Sequence, residues 1–304
     1  MRDRRGRKKY AYRGCGCGPL VLIFILLLVA AGSARKHEAP LVVAHRGGAA
    51  SAPENTLPAY QKALAMGARG VECDVFLTLD GAVVLSHDST IDRCSDGTGR
   101  IGEMTLAQLR EYDYGVWFGA QFAGTRIPTL EEFLDTVQSA ELILIEFKTA
   151  ERDIVPKSVE AVRARGLLER TVFHSFDLDA LAAVKEADPN AAAGYLYNPG
   201  STHNRTINKD PAAFCARHNI DALHPQFAAA TSGLVRRCAR AGIDVRVWTV
   251  NNGVFLAGSC AQGVSAVITD VPEKAFKAAK YPAVLRGLCG VVSNAAGLLG
   301  LLFA

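Results

Sequence analysis

The sequence predicts an α/β fold in which eight strand–helix units close into a TIM (β/α)8 barrel. From residue 41 onward, a short apolar run, a polar loop and a helical stretch follow one another repeatedly. Such alternation, with strands rich in Val, Ile and Leu, is typical of a parallel sheet covered by helices. About eight repeats favour closure into a barrel. An open doubly wound sheet is the alternative, but no Gly-rich phosphate loop follows the first run.

Nine runs have the length and composition of strands. They cover residues 41–45, 70–75, 82–87, 141–147, 171–175, 191–196, 221–225, 244–249 and 265–269. Nine is one more than a barrel of eight needs. The turn signal Asp80-Gly81 leaves no room for a helix between the second and third runs. We therefore expect one of those two runs to be the arm of a hairpin.

Helical stretches separate the runs, and one long segment interrupts the pattern. The helix predicted over 57–66 ends before Gly67, and the helix over 130–137 begins after a Thr129 cap. Residues 89–128 are too long for a simple loop and are rich in Gly and aromatic side chains. Long loops in compact folds are usually functional, so we expect an inserted lobe over the barrel mouth. The barrel domain is predicted to span residues 40–280 with this insertion.

Composition and charge limit the class of protein. With 304 residues, 49% hydrophobic and 21% charged, the chain can bury the core of one large folded domain. Residues 1–13 contribute +6 to the net charge of +4, so the rest of the chain carries −2. Because the excess of positive charge is confined to one terminal cluster, a basic groove for nucleic acid is not expected. The eight cysteines show no C-x-x-C pair and no zinc-site spacing.

Both ends of the chain are hydrophobic. Residues 14–34 hold no charged side chain, and such a helix just spans a bilayer of about 30 Å. We predict that residues 1–36 are a basic, cytoplasmic flank with a single-pass transmembrane anchor. A cleaved signal peptide, with the small residues 30–34 at its processing site, is the alternative and gives a secreted protein. Residues 281–304 form a hydrophobic tail, for which a helix on the membrane surface or on the barrel is favoured over a second span.

Three carboxylates are candidates for a metal site. Side chains alternate along a strand, so Glu72 and Asp74 share one face, and Glu146 shares a face with Lys148. Three carboxylates that meet at the end of a barrel repel one another unless a cation neutralises them. All-oxygen ligation suits Ca²⁺ or Mg²⁺ rather than zinc. We therefore predict one divalent cation, Ca²⁺ or Mg²⁺, bound by Glu72, Asp74 and Glu146.

Two histidines and two cations complete the predicted site. His45 and His87 each end a strand-like run, where barrel enzymes carry their catalytic groups. Two imidazoles can act as the base and the acid of a phosphoryl transfer. Arg46 and Lys148 are predicted to hold phosphate oxygens. Trp248 is placed at the mouth, where it packs against the substrate or serves the fold alone.

Other polar residues are assigned structural roles. His174, His203 and His218 are expected to be hydrogen-bonded structural residues, while His224 is intermediate. The segment 53–56 fits a helix start with Asn55 or Thr56 as its cap. Asp88 is expected to orient His87 or to cap the loop, and Arg246 to form an internal ion pair.

The ordered motifs resemble those of the glycerophosphodiester phosphodiesterase family. The resemblance covers about residues 41–272 and rests on these motifs: His45-Arg46-Gly47, Pro53-Glu54-Asn55-Thr56, Glu72-Cys73-Asp74, Thr78-x-Asp80-Gly81, His87-Asp88, Ile127-Pro128-Thr129-Leu130, Glu146-Phe147-Lys148, Ser175-Phe176, His224-Pro225, Trp248-Thr249-Val250-Asn251 and Ile268-Thr269-Asp270. It implies a TIM barrel, a divalent metal at Glu72, Asp74 and Glu146, and acid–base work by His45 and His87. It also implies hydrolysis of glycerophosphodiesters to glycerol 3-phosphate and an alcohol. The family's insertion matches residues 89–128.

Three functions follow as hypotheses. The first is a membrane-tethered, metal-dependent phosphodiesterase that acts on a small glycerophosphodiester. The second is a lysophospholipase D-type enzyme that releases head groups from lysolipids in the bilayer, which the hydrophobic ends and the aromatic lobe favour. The third is a catalytically inactive surface protein that only binds a ligand or partner, which the retention of both histidines and all three carboxylates disfavours.

Overall fold

The computed structural model of the protein describes residues 39–149 and 153–302. Within these ranges the chain folds into one barrel with helices around it and an inserted lobe packed against it. The predicted basic flank and hydrophobic helix of residues 1–36 lie outside the described residues.

Nine strands form a single sheet. They are β1 Leu41–Ala44, β2 Gly70–Leu77, β3 Val83–Leu85, β4 Leu142–Phe147, β5 Thr171–Ser175, β6 Ala192–Tyr197, β7 Ala222–Pro225, β8 Asp244–Val247 and β9 Ala266–Thr269. Eight are parallel in the order β1-β9-β8-β7-β6-β5-β4-β2, and β1 also pairs with β2, with Val43 opposite Gly70. That last pairing closes the sheet and confirms the predicted eight-stranded parallel barrel.

The ninth strand is the expected hairpin arm. Strand β3 pairs antiparallel with β2, with Val75 opposite Leu85, and so lies outside the parallel set. The turn between them is closed by Thr78, whose N–H donates to the carbonyl of Ala82 at 2.9 Å. Gly81 has a φ of +82°, a conformation that costs glycine little. The hairpin directs residues 86–88 back toward the barrel mouth.

Helices surround the barrel in the order expected for alternating units. They are α1 Leu57–Ala65, α2 Leu106–Leu109, α3 Leu130–Thr136, α4 Ile154–Ala164, α5 Leu178–Ala187, α6 Asn204–Lys209, α7 Pro211–His218, α8 Ser232–Arg240, α9 Gly253–Gln262, α10 Pro272–Ala279 and α11 Ala283–Leu302. Helix α3 starts where predicted, because the Thr129 hydroxyl accepts from the Glu132 N–H and the Glu132 carboxylate accepts from the Thr129 N–H. Helix α1 starts at the predicted residue, but Thr56 makes no side-chain capping bond.

The core has an inner and an outer layer, and the lobe has a cluster of its own. The barrel interior is filled by the buried side chains of Val43, Leu144, Val172, Ala266 and Ile268. Larger apolar clusters lie between the strands and the surrounding helices. The lobe is held on the barrel by a third set of buried residues: Val84, Ile91, Ile101, Leu109, Tyr114 and Ile127. The lobe is thus a packed structure rather than a loose loop.

The C-terminal helix α11 packs on the barrel through its described part. The Asn294 side chain accepts a hydrogen bond from the N–H of Ser232 at 3.0 Å. Gly258 of α9 lies so close to Ser293 that a Cβ atom there would clash with it. In the parts of the chain that the structure describes, no helix combines the length and apolar character needed to cross a bilayer. All six cysteines within those parts are free thiols.

Candidate active site

The strands direct their carboxyl ends to one mouth, where a cavity of about 190 Å³ opens. Its wall combines charged and apolar side chains, namely His45, Arg46, Glu72, His87, Glu146, Lys148, His174, Phe176, Leu196, Trp248, Thr249 and Ile268. Every residue predicted for the site lines this cavity except Asp74. Asp74 is fully buried and contacts two residues of the wall, Arg46 and Lys148.

His45 is held by a carboxylate from the neighbouring strand end. Strands β1 and β9 pair with Ala44 opposite Thr269, so His45 and Asp270 leave the barrel side by side. The Nδ1 atom of His45 lies 2.6 Å from Oδ1 of Asp270. Burial lowers the pKa of His45, but the carboxylates of Glu72 and Asp270 raise it, and the net pKa lies above 6.5. The ring is therefore oriented through Nδ1, and Nε2 faces Glu72 at 3.9 Å.

Arg46 adopts a left-handed backbone conformation directly after β1. Its φ of +52° is uncommon for a residue with a side chain, and such strain is concentrated at functional sites. In this conformation the Arg46 N–H donates to Oε2 of Glu72 at 2.9 Å. The guanidinium lies 3.2 Å from Asp74 Oδ2 and 3.1 Å from Glu54 Oε1. Arg46 thus contacts two of the carboxylates that are predicted to bind the metal, Glu72 and Asp74.

The carboxylates of β2 and β4 are brought together by strand register. Asp74 lies opposite Glu146, and Lys148 Nζ lies between their side chains, 2.7 Å from Asp74 Oδ1 and 2.5 Å from Glu146 Oε1. Burial raises the pKa of both carboxyls, but Lys148 and Arg46 outweigh it at Asp74, whose net pKa is lowered. At Glu146, burial and the charge of Asp74 keep the pKa above its usual range. The pair therefore carries less negative charge than two free carboxylates would.

The buried ligand atoms fit a divalent cation. Glu72, Glu146 and His174 each offer one ligand atom, and these atoms lie within 4.8 Å of one another. Among the described residues, neither Glu72 Oε1 nor His174 Nε2 has a hydrogen-bond partner. Buried polar atoms without partners are costly, and a cation would satisfy the carboxylate oxygens. The structure therefore places Glu146 beside Glu72, as predicted, and brings Asp74 against Lys148 rather than into this compact group.

His174, which was expected to be a hydrogen-bonded structural residue, is buried and also lies in the cavity wall. Its Nδ1 lies 2.9 Å from Nδ1 of His224, across the barrel interior. Burial lowers the pKa of both rings, and His224 is lowered further by His174 and the nearby Arg246. Register already aligns His174 with Glu146, but the contact with His224 joins residues 50 positions apart. No local sequence pattern predicts a contact between two histidines so far apart in the chain.

His87 reaches the cavity from the hairpin rather than from a barrel strand. Its Nδ1 lies 2.7 Å from Oδ1 of Asp88, so Asp88 orients the ring, which was one of its two expected roles. Arg93 donates through Nε to the other oxygen of Asp88 at 2.6 Å. Burial raises the pKa of Asp88, but Arg93 and His87 outweigh it and leave the pKa below its usual value. Asp88 thus remains an ionised acceptor for the imidazole.

Two aromatic rings form the apolar edge of the cavity. Phe176 and Trp248 meet edge to face with their centroids 5.4 Å apart. The Trp248 indole N–H donates to the carbonyl of His224 at 2.7 Å, which fixes the ring. Phe176 remains 45% exposed. The sequence predicts Trp248 at the mouth but does not identify Phe176 as its neighbour.

Glu54 and Asn55, which directly precede the N-cap residue of helix α1, contact residues of the site. Asn55 has a φ of +56°, and its amide donates to Asp74 Oδ2 at 2.9 Å. Its carbonyl oxygen accepts from the Tyr60 hydroxyl at 2.9 Å. Thr56 is the N-cap residue of helix α1, as expected, but its hydroxyl donates to the carbonyl of Pro53 at 2.6 Å and makes no capping bond. Arg246 pairs with Asp244 at 2.6 Å, the ion pair that was expected for it.

Comparison with known families agrees with this geometry. The model of the glycerophosphoryl diester phosphodiesterase family matches residues 45–274, which include every predicted site residue. A glycerophosphodiester phosphodiesterase of Caldanaerobacter subterraneus is 35% identical over 237 residues, which cover 77% of this chain and 95% of that protein.

Solved structures show the same architecture. A glycerophosphodiester phosphodiesterase from Thermotoga maritima superposes with a TM-score of 0.65 at 30% identity, covering 80% of this chain and 99% of that one. A phosphodiesterase from Oleispira antarctica, solved in complex with the product sn-glycerol-3-phosphate, gives a TM-score of 0.69 at 29% identity over 79% of this chain and 96% of that one. The chain belongs to the glycerophosphoryl diester phosphodiesterase family and is an enzyme of that class.

Proposed function

We propose that this chain hydrolyses a small glycerophosphodiester to glycerol 3-phosphate and an alcohol, with His45 and His87 exchanging the protons. One observation carries the proposal: both imidazoles line the same cavity, and each is held by a carboxylate through Nδ1. An ionised carboxylate only accepts, so each ring donates its Nδ1–H and presents Nε2 to the cavity. Two oriented nitrogens on one cavity are what acid–base catalysis of a phosphodiester requires.

The protons pass in opposite directions at the two rings. One histidine takes the proton of the attacking oxygen, either a glycerol hydroxyl or water, and the other protonates the leaving alcohol. Asp270 lies 2.6 Å from Nδ1 of His45, and Asp88 lies 2.7 Å from Nδ1 of His87. Each carboxylate therefore offsets the positive charge that its histidine gains during a transfer.

The phosphate is proposed to bind to the cationic side of the cavity. Arg46 and Lys148 line this side, and their charges are neutralised by Glu54, Asp74 and Glu146. Glu72, Asp74 and Glu146 would hold one divalent cation, Ca²⁺ or Mg²⁺. When bound, it would neutralise charge that builds up on the phosphate and would bind glycerol hydroxyls. Lys148 is then free to face a phosphate oxygen instead of the two carboxylates.

The test is release of glycerol 3-phosphate from glycerophosphocholine by the full chain. Replacing His45 or His87 with Ala should lower kcat by roughly 10² to 10⁴-fold, the usual contribution of a general acid or base. His218→Ala on helix α7 is the matched control, because His218 lies outside the cavity wall. Near-normal turnover in either His45→Ala or His87→Ala, with circular dichroism unchanged, would refute the proposal.

A second candidate, hydrolysis of lysolipids, is favoured by exposed apolar side chains. Phe176 is 45% exposed at the cavity edge, and Val116 and Trp117 on the lobe are 44% and 40% exposed. Of these three side chains only Phe176 lines the cavity, and an exposed apolar side chain at that edge is suited to an acyl chain. Comparing kcat/KM for glycerophosphocholine and lysophosphatidylcholine separates the two. A higher value for the lysolipid, lost in Phe176→Ala, would favour this candidate over the first.

We propose further that the catalytic domain lies outside the cytoplasm. The support is the sequence alone: a basic cluster in residues 1–13 followed by 21 uncharged residues, 14–34. Protease is added to intact cells whose outer envelope has been made permeable to it. The barrel domain should be degraded if it lies outside the cytoplasmic membrane. Protection of the domain until the cells are lysed would overturn the assignment.

A further inference from the structure

A line of polar side chains crosses the barrel interior beneath the cavity. Arg246 Nη1 lies 3.3 Å from His224 Nε2, and His224 Nδ1 lies 2.9 Å from His174 Nδ1. His174 Nε2 in turn faces Glu72 Oε1 at 3.8 Å. All four residues are at most 8% exposed. The line therefore connects the floor of the barrel to a carboxylate of the proposed metal site.

The guanidinium of Arg246 determines which atom donates and which accepts in each hydrogen bond along this line of side chains. Arginine has only N–H donors, so His224 must accept through Nε2. A neutral imidazole has one donor and one acceptor, and His224 then donates its Nδ1–H to His174. His174 accepts through Nδ1 and must carry its proton on Nε2. The opposite arrangement would place an N–H of His224 against an N–H of Arg246.

Arg246 itself is fixed in place at the floor. Its Nη2 donates to Asp244 Oδ2 at 2.6 Å, which leaves Nη1 directed at His224. Gly194 makes room for the His224 ring, since a Cβ atom there would lie 2.9 Å from Nε2. The neighbouring strands thus hold the pair in one arrangement, with little freedom for either ring to turn.

We infer that His174 is a positioning residue that donates its Nε2–H to Glu72, and that it is not a ligand of the cation. The 3.8 Å between Nε2 and Oε1 is too long for a hydrogen bond, but neither atom has another partner among the described residues. The bond would form if the Glu72 carboxylate turned toward His174 Nε2. This inference rests on the proposed metal site, whose ligands it limits to oxygen atoms.

The consequence is a preference for hard cations. A nitrogen ligand would favour zinc and other transition metals, whereas carboxylates alone suit Mg²⁺, Ca²⁺ and Mn²⁺. A donated hydrogen bond would also fix the orientation of Glu72, and partners of this kind typically change metal affinity by about 10 to 100-fold. Arg246, at the opposite end of the barrel, would thereby determine which metals the site accepts.

The first test reads the proton positions directly, without metal or substrate. The full chain is labelled with ¹⁵N at its seven histidines and treated with chelator, and long-range ¹H–¹⁵N spectra are recorded. We expect the Nε2–H tautomer for His174 and the Nδ1–H tautomer for His224, with signals assigned from His174→Gln and His224→Gln. Arg246→Lys, which still presents only donors, should keep both tautomers. A proton on Nδ1 of His174 in the unsubstituted chain would overturn the inference.

The second test examines the loaded site with Mn²⁺ as the probe. Pulsed electron paramagnetic resonance of the full chain should show no directly bonded histidine nitrogen. A ¹⁴N coupling that disappears in His174→Gln would show that His174 is a ligand and would refute the inference. Failure of the chain to bind Mn²⁺, Mg²⁺ or Ca²⁺ at all would instead refute the proposed metal site, while the tautomers in the metal-free chain would still decide the proton positions.

Discussion

Arg93 and Glu54 form a two-pronged ion pair, with Nη1 and Nη2 each 2.8 Å from a carboxylate oxygen. Arg93 belongs to the lobe, whereas Glu54 follows β1 and also pairs with Arg46. Because Arg93 donates to Asp88 as well, the lobe links the partner of His87 to the partner of Arg46. The lobe therefore takes part in orienting groups on both sides of the proposed phosphate site.

Arg93→Ala is expected to lower kcat by about tenfold. This is less than the roughly 10² to 10⁴-fold that a general acid or base contributes, because the histidine itself remains. The rate falls because Asp88 loses the donor that holds it against His87. Steady-state kinetics with glycerophosphocholine measure the effect, and Arg100→Ala on the same lobe is the control, since exposed Glu103 is its only ion-pair partner among the described residues. Equal losses in the two variants would contradict a specific role for Arg93.

The Glu54 ion pairs predict a loss of stability in acid. Burial raises the pKa of Glu54, but Arg93 and Arg46 outweigh it, and the net pKa lies below the usual 4.5. A carboxyl with a lowered pKa stabilises the fold above pH 4.5, and that contribution is lost as the pH falls through the folded-state pKa. Glu54→Gln should cost about 1 to 3 kcal/mol near pH 7, as for hydrogen bonds to charged groups.

Urea unfolding from pH 3 to pH 7 measures this effect. The free energy difference between the unsubstituted chain and Glu54→Gln should shrink toward low pH. Glu141→Gln, which removes an exposed pair with Arg69, is the control and should show little difference at any pH. A difference for Glu54→Gln that stays constant with pH would argue against the ion pairs as its cause.

Asp270→Asn is expected to shift the pH dependence of turnover. Burial lowers the pKa of His45 while Glu72 and Asp270 raise it, so removing the Asp270 charge lowers that pKa. The limb of the pH–rate profile that reports His45 should therefore move to lower pH, and kcat should fall roughly 10²-fold. The profile from pH 5 to pH 9 checks this. A lower kcat without any shift would mean that the ionisation of His45 does not limit the rate.

Removing the metal should abolish turnover, and Mg²⁺ or Ca²⁺ should restore it. Burial and Asp74 raise the pKa of Glu146, so the metal-free chain holds part of a proton there near neutral pH. A cation would displace that proton, and its affinity should increase as the pH rises. Calorimetry in two buffers of different ionisation enthalpy detects the proton, and Glu146→Gln should release none. Full activity in excess EDTA would end the metal proposal.

Gly194→Ala is expected to destabilise the barrel by about 1 to 3 kcal/mol, the usual cost of overpacking. The added methyl group would lie 2.8 Å from Cε1 of His224 and 3.2 Å from Val172. Thermal unfolding measures the change, and turnover should fall with it as His224 and His174 are displaced. Gly253→Ala on helix α9 is the control, because its added methyl group would have no described atom within 4 Å apart from its chain neighbours and the backbone of its own helix. Equal stability of the two variants would show that His224 has room to move.

Much of the barrel could be predicted because strand and helix signals are local. The predicted run 171–175 coincides with β5, and 70–75 falls short of β2 by two residues at its end. The alternation of side chains along β2 placed Glu72 and Asp74 on one face without knowledge of the fold. Thr129 and Glu132 define their own helix start through a bond between residues three apart.

The partners of the site could not be predicted in this way. Asp270 meets His45 across 225 residues, because β9 and β1 become neighbours only when the barrel closes. Asn55 and Glu54 carry an ordinary helix-start pattern, and their true partners lie on β2 and on the lobe. Nothing in the sequence around His174 distinguishes it from a structural histidine.

The sequence by itself determined the strand–helix alternation, the hairpin at Asp80-Gly81, and the set of acidic, basic and imidazole groups at the strand ends. These features depend on backbone periodicity and on side-chain chemistry within a few residues. Only the tertiary structure decided which of those groups touch: Lys148 between Asp74 and Glu146, Asp270 behind His45, and Arg246 behind the two inner histidines. Contacts of this kind depend on the register and closure of strands far apart in the chain, which no short segment encodes.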